Sequence, residues 1–343
     1  MTYSMSRFKL GFFSYFQGSA PISQIYDESL TIFRRADELG FDTAWVAQHH
    51  FGGPHGNLPS PFPFFGVLGG MTRTIGFGTA VITLPLENAV RVAEDAAVLE
   101  TYFPGRMQLG LGTGFATPDV MAAFGYDGSQ KRALYDSGVV RLIEVLEGRP
   151  LNDSGDTLVP PAPDLRNRLY ESPASLERLT ETASRGTGLL LSRVAIGAGL
   201  TPTHEVQIPM VAHYKAHLPA GVAPRIGMSR TVYPTHDPES AWRNMAIGIQ
   251  TTIDQRRAQN LPEDKLPMVE QFRHYNLHWG RPEQVIESLA AEPLIDEITE
   301  LICQIQPGVP ALEQTLEAIE LIATEVAPAL GWQPASQAAV TVG

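Results

Sequence analysis

With 343 residues, 43% of them hydrophobic and 18% charged, the chain is long enough to bury a full core in one large domain or two ordinary ones. Thirty-seven acidic against 25 basic side chains give a formal net charge of −12, which excludes the positive footprint that a nucleic-acid backbone demands. The lone Cys303 excludes an intrachain disulfide and any two-cysteine metal pattern, and no run approaches the roughly 20 apolar residues of a membrane span, so a soluble cytoplasmic protein without a membrane partner is expected.

Phe8–Ser14 reads as a first strand. A helix follows, with Pro21 near its start, Ile25, Tyr26, Phe33 and Ala36 on one face, and Gly40 past its end. Thr43–Gln48 is a short apolar strand running into a Gly/Pro-rich loop, Phe62–Met71 a helix, and Ile75–Ile82 a third strand stopped by Pro85. Asn88–Phe103 carries a helical apolar stripe closed by Pro104-Gly105, and Met107–Thr113 is a fourth strand. Lys131–Glu147 reads as a helix, and 148–163 as a loose excursion within one domain. Beyond it come a weak strand at Arg168–Glu171, a helix at Pro173–Ser184, a strand at Gly188–Ser192 and a helix at Thr201–His217. Ile226–Tyr233 is a strand, Ser240–Arg257 a helix, 260–280 irregular and Thr299–Gln304 a last strand, ahead of a helix through Leu312, Leu316, Ile319, Ala323, Val326 and Leu330.

Eight strands alternating with helices predict an α/β fold, a (β/α)8 TIM barrel with insertions, over a single domain 1–332 with a flexible tail 333–343; an open doubly wound sheet is the competing fold. In a barrel the carboxyl ends of the strands form the active-site rim, and His49-His50 stand at one such end. Adjacent strand residues face opposite sides, so one of the two can enter a given pocket while the other packs or is hydrogen-bonded. A metal reading would recruit His55 or His213, but no carboxylate follows at ligand spacing, and no metal is expected.

Ser172 and Pro173 suit the N-cap and first position of a helix, with Ser175 in its first turn. That is a helix start, and also a place where free N–H groups favour a phosphate. Glu171 could join through its main-chain N–H with its carboxylate turned away. The small residues Gly78, Thr79 and Ala80 ahead of Val81 suit plain packing or a backbone shelf under a ring system, and Gly110, Gly112 and Gly114 permit close approach of a flat ligand.

The stretches GFDTAWVAQHHF (40–51), IGFGTAVITLP (75–85), AVRVAEDAAVLETYFPGRMQLGLGTG (89–114) and YESPAS (170–175) resemble the flavin-dependent luciferase-like monooxygenases, near-continuously from Phe8 to about Leu146 and patchily beyond. The resemblance implies a (β/α)8 barrel binding FMN at the carboxyl ends of its strands. The phosphate would lie at Glu171, Ser172 and Ser175, and the ring over a non-proline cis peptide at Ala80–Val81 and over Gly112 and Thr113. His49 would be the catalytic histidine, able to act as a base at neutral pH because an unperturbed imidazole titrates near ~6.5. It also implies O2 and a small organic substrate, a separate flavin reductase and a homodimer. Three positions depart from the luciferase pattern: Gln48 replaces a glutamate, Gly112 a reactive cysteine, and Thr113 an arginine that partners the phosphate, leaving the helix start and Arg193 for that charge. Two alternatives stay open: hydride transfer with a deazaflavin on the same barrel, and a flavin-binding paralogue without turnover.

Overall fold

Short apolar runs bounded by glycine, proline or polar loops become parallel strands, and amphipathic stretches between them become helices. The computed structural model describes residues 7–52, 56–195, 201–258 and 275–334. In chain order the elements are β1 (Lys9–Ser14), α1 (Ile22–Leu39), β2 (Thr43–Val46), α2 (Pro61–Met71), β3 (Gly76–Thr79), β4 (Ile82–Thr83), α3 (Ala89–Tyr102), β5 (Met107–Gly112), α4 (Pro118–Ala123) and α5 (Lys131–Leu146). They continue with β6 (Leu169–Glu171), α6 (Leu176–Ser184), β7 (Gly188–Leu191), α7 (Thr203–His217), β8 (Ile226–Pro234), α8 (Pro238–Ala258), β9 (His278–Gly280), α9 (Pro282–Ala290), β10 (Glu300–Gln304) and α10 (Leu312–Leu321). With β3 and β4 taken as one broken strand and β9 as an extension paired to the end of β8, this is the eight-fold βα alternation of the (β/α)8 class.

The chain divides into two compact units. The first gathers Ser14–Leu30 and Thr43–Pro173. Within it β2, β3, β5 and β6 pair in that order, all parallel, and β4 pairs with β5. These strands are buried throughout, which is why they read as continuous apolar runs rather than alternating ones. Trp45 pairs with Gly78, and a Cβ on Gly78 would come 2.3 Å from the indole, so only glycine lets that ring lie across β3. Thr79 locks the next step: its Oγ1 donates to the Gly110 carbonyl and accepts from the Gly110 N–H, both at 2.9 Å. Asn88 caps α3, its side chain accepting from the Val90 and Arg91 amides.

The second unit comprises Met1–Phe13, Thr31–Asp42 and Ala174–Gly343. Here β10 lies between β1 and β8, and β8 also pairs with β7 and β9, again all parallel. Asp42 closes the unit: its carboxylate accepts from the Leu10 amide at 2.7 Å and the Trp332 indole N–H at 2.9 Å. Cys303 sits fully buried on β10, opposite Phe12 and Arg230, and burial pushes its thiol well above the usual range.

Several expectations change. The strand expected over 75–82 stops at Thr79 and resumes at Ile82; the Ala80–Val81 peptide between them is cis, and the Ala80 amide still donates to the Val46 carbonyl at 2.8 Å. The helix expected from Pro173 starts at Leu176, and its cap is Ser175 rather than Ser172: the Ser175 hydroxyl accepts from the Arg178 amide. A short strand, β9, stands within the stretch that reads as irregular, and α4 is an added turn in the loop after β5. Of residues 333–343, Pro334 lies against Gly40, and 335–343 are outside the described residues, so the flexible tail stays an expectation.

Candidate active site

Four strand ends of the first unit carry the expected residues. β2 delivers Gln48, His49 and His50. Gln48 is buried and serves as a clamp: its amide N–H groups donate to the Pro59 carbonyl at 3.0 Å and the Glu87 carboxylate at 2.6 Å, and its carbonyl accepts from the Thr83 amide at 2.7 Å. Burial raises the Glu87 carboxyl above its usual range, against the pull of the Gln48 hydrogen bond. The position before the histidines therefore ties the end of β2 to β4.

His49 is buried, its amide donating to the Leu58 carbonyl at 2.9 Å. Its ring lies between Tyr15, 5.9 Å away, and Phe115, 5.6 Å away, with Gly56 packed against Nδ1. Asn57 pins this loop, donating to the Phe16 carbonyl at 2.7 Å while its own carbonyl accepts from the Tyr26 hydroxyl at 2.9 Å. His50 takes the other side. Its ring meets Phe124 edge-on at 4.8 Å, and burial lowers its pKa, keeping the imidazole neutral at neutral pH. Both histidines lie past the end of β2, His49 buried and His50 half-buried, in different surroundings.

The break between β3 and β4 leaves Ala80 and Val81 half-buried in otherwise buried surroundings. Gly112 ends β5 beside them, and a Cβ there would come 2.6 Å from Val81 Cγ2, so glycine is what lets the Val81 side chain lie down and leaves a flat backbone surface. Thr113 follows, half-buried, then Gly114 at φ 47°, where a Cβ would meet Thr83 Oγ1 at 2.3 Å. This cradle fits a planar ring system such as a flavin.

β6 ends at Glu171. Its carboxylate accepts from the Tyr135 hydroxyl of α5 at 2.9 Å, so the side chain is held in the protein interior. The Ser172 amide is committed to the Leu111 carbonyl at 3.0 Å, and among the described residues the Ser172 hydroxyl makes no hydrogen bond. Ser175 belongs to the second unit with α6, as does Arg193, whose Nε is buried with no hydrogen-bond partner among the described residues.

Three phenyl rings stand out around the histidines: Phe51 (70% exposed, φ 64°), Phe115 (50%) and Phe124 (39%). The loop carrying the latter two is anchored by Leu86, Ala116 and Met121, with Val120, Tyr126 and Leu134 against them. A bulky residue at positive φ holds only where its surroundings fix it. Sequence reasoning did not single out these phenylalanines, Tyr135 or Lys131; a β5–α5 loop rich in aromatic and apolar residues was the available signal.

Among the described residues no group of three or more His, Cys, Asp or Glu is placed to hold a metal, and no helix is long and apolar enough to cross a membrane. His55 lies outside the described residues, and His213 is in the second unit, its Nε2 2.7 Å from the Thr180 hydroxyl.

Among curated proteins, the chain is 33% identical over 153 residues to the uncharacterized protein y4wF of Sinorhizobium fredii, covering 44% of each chain. It is 34% identical over 112 residues to the alkanal monooxygenase alpha chain of Photorhabdus laumondii, covering 33% of this chain and 31% of that one. It thus spans less than half the length of these two curated relatives. Among solved structures, the monooxygenase RslO1 of Streptomyces bottropensis superposes with a TM-score of 0.78 at 20% identity over 93% of this chain and 99% of that one. The oxygenating constituent of 3,6-diketocamphane monooxygenase from Pseudomonas putida, a type II Baeyer-Villiger monooxygenase solved in complex with FMN, gives 0.74 at 16% over 94% and 98%. The F420-dependent tetrahydromethanopterin reductase of Methanopyrus kandleri gives 0.66 at 14% over 95% and 99%. At such identities these likenesses show the fold, a (β/α)8 barrel. The luciferase-like monooxygenase family model matches residues 8–294, and the chain belongs to that family.

Proposed function

We propose that this protein is an FMN-dependent monooxygenase that takes reduced flavin and O2 and oxidises a small apolar organic substrate. The observation that carries the reading is the open Ala80–Val81 backbone above Gly112, flanked in one unit by the buried His49 and by the end of β6. In this reading the ring lies on Ala80, Val81, Gly112 and Thr113, and the phosphate at Glu171, Ser172 and Ser175, within a single domain 1–332. Reduced FMN, when bound, would supply the two electrons that activate O2, one oxygen atom going to the substrate and the other leaving as water.

The chain's own residues do the rest. Gly56 closes Nδ1 of His49, so Nε2 is the atom at which His49 would take or return a proton. Neutral His50 and the rings of Phe51, Phe115 and Phe124 offer an apolar surface around the histidines, which suits an apolar substrate whose arrival would displace water from it. A separate reductase is part of the proposal, and so is a homodimer. α2 exposes Pro63, Gly66, Val67, Gly70 and Met71 on one face, beside Val98 and Tyr102 of α3, an apolar patch without a charged side chain on the α2 side.

The test is oxygen uptake by the purified protein with a flavin reductase, NADH and FMN, against a panel of apolar carbonyl and aromatic compounds. Uptake that rises with one compound and yields an oxygenated product supports the proposal; uptake released wholly as hydrogen peroxide for every compound counts against it. Hydride transfer with F420 is the second reading, favoured by the likeness to the F420-dependent reductase, and anaerobic reduction of F420 by candidate alcohols would reveal it. Flavin binding with neither activity would point to a non-catalytic paralogue.

A further inference from the structure

Lys131 is the first residue of α5, half-buried, with its Nζ 3.5 Å from the Gly114 carbonyl oxygen, the outer limit of a hydrogen bond. Among the described residues no carboxylate pairs with it, and burial alone pulls its pKa below the usual lysine value. An ammonium drawn partly out of water without a counter-ion costs free energy that a bound anion would recover. Its place says which anion. Gly114 lies two residues past the end of β5, and β5 pairs with β6 up to Leu111 opposite Glu171.

One helical turn along the same face of α5 stands Tyr135, whose hydroxyl holds the Glu171 carboxylate. The two side chains divide the work at the end of β6. Tyr135 holds the Glu171 carboxylate in the interior, and Lys131 places a positive charge at the Gly114 carbonyl, in the loop after β5, the strand whose Leu111 carbonyl accepts from the Ser172 amide; among the described residues the Ser172 hydroxyl is uncommitted. Thr113, the neighbour of Gly114, brings a hydroxyl and no charge.

We propose that Lys131 binds the phosphate of the flavin cofactor, as its principal side-chain cation, at the end of β6 together with the Ser172 hydroxyl. The proposal rests on the reading that a flavin phosphate sits at Ser172. A lysine serves such a site as a point charge, so the contact is electrostatic and tolerates arginine.

The experiment titrates wild type, Lys131→Met and Lys131→Arg with FMN and with riboflavin, which differ by the phosphoryl group alone, following flavin fluorescence. The phosphorylated F420 and its phosphate-free portion form a second pair for the same proteins. Wild type should prefer the phosphorylated member of a pair. Lys131→Met should weaken that member by about tenfold or more, a single charge-assisted contact, and leave the phosphate-free member within about twofold. Lys131→Arg should restore most of the preference, and salt should weaken FMN binding to wild type more than to Lys131→Met. A wild type without preference in either pair overturns the phosphate site and the lysine's role with it. A wild type that prefers the phosphorylated flavin while Lys131→Met keeps the whole preference, or loses both members equally, overturns the lysine alone.

Discussion

Gly56 packs against His49 so closely that a Cβ on it would stand 2.9 Å from the imidazole Nδ1 and 2.3 Å from the Tyr15 carbonyl oxygen. Its φ of 137° also disfavours any L side chain. Gly56→Ala should therefore push the His49 ring off its position while leaving the Ala80–Val81 shelf untouched. Turnover should fall by about tenfold or more, because small misplacements of a catalytic group are costly. Flavin affinity should stay within severalfold, as read by steady-state rates beside a flavin titration.

His49→Ala removes the proton carrier itself. The expected loss in turnover is roughly 10²–10⁴-fold, the usual contribution of general acid–base catalysis. Flavin affinity should change little, and equal loss of both would sink the assignment of His49 as the base.

Gly78 and Gly112 should separate stability from binding. Gly78→Ala drives a methyl into the fully buried Trp45 indole, where nothing can give, and should cost ~1–3 kcal/mol in chemical denaturation. Gly112→Ala meets Val81 Cγ2 on a half-buried side chain, which can turn away only by rising from the shelf. It should cost less stability and weaken riboflavin and FMN alike, since the ring rather than the phosphate would be obstructed.

The second unit carries a buried ion pair whose titration sets an acid limit. Arg230 donates to both Glu292 carboxylate oxygens at 3.2 Å, and both side chains are fully buried. Burial pushes Glu292 up, but His278 and the Arg230 charge outweigh it and bring it down to about 2. A carboxyl lower in the folded than in the unfolded chain adds stability that is complete above the ordinary value of 4.5 and is lost as pH falls toward about 2. His278, lowered chiefly by burial, acts in the same direction: its contribution is complete above the ordinary 6.5 and declines below it. Arg230→Met strands the Glu292 charge and should cost about 3–5 kcal/mol at neutral pH. That cost should shrink as acid neutralises Glu292, a convergence that denaturation curves at pH 7 and pH 4 would show.

Much of this was legible in the sequence because strand and helix periods are local. The α3 stripe, the buried runs of β5 and β7, and the histidines at the end of β2 follow from residues near one another in the chain. What was not legible depends on partners far apart. The break at Ala80–Val81 is invisible in the run IGFGTAVI, which reads as one strand by composition. Ser172-Pro173 has every local mark of a helix start. Yet the Ser172 amide is drawn into β6 by Leu111 across the sheet, so the helix waits for Ser175. Gln48, a lost charge in the sequence, turns out to join β2 to Thr83, Pro59 and Glu87. Tyr135 and Lys131 are ordinary residues of a helix until Glu171 and Gly114 are seen beside them.

The lone cysteine offers a clock for the whole second unit. Cys303 lies on β10, with strands paired on both sides and no surface exposed, and its thiol is held protonated by burial. An alkylating or disulfide reagent can reach it only when β1, β8 and β10 part, so the labelling rate under native conditions counts those openings directly. A ligand whose binding is lost when this unit opens would slow that count by the factor its binding free energy sets, a readout that needs neither colour nor turnover.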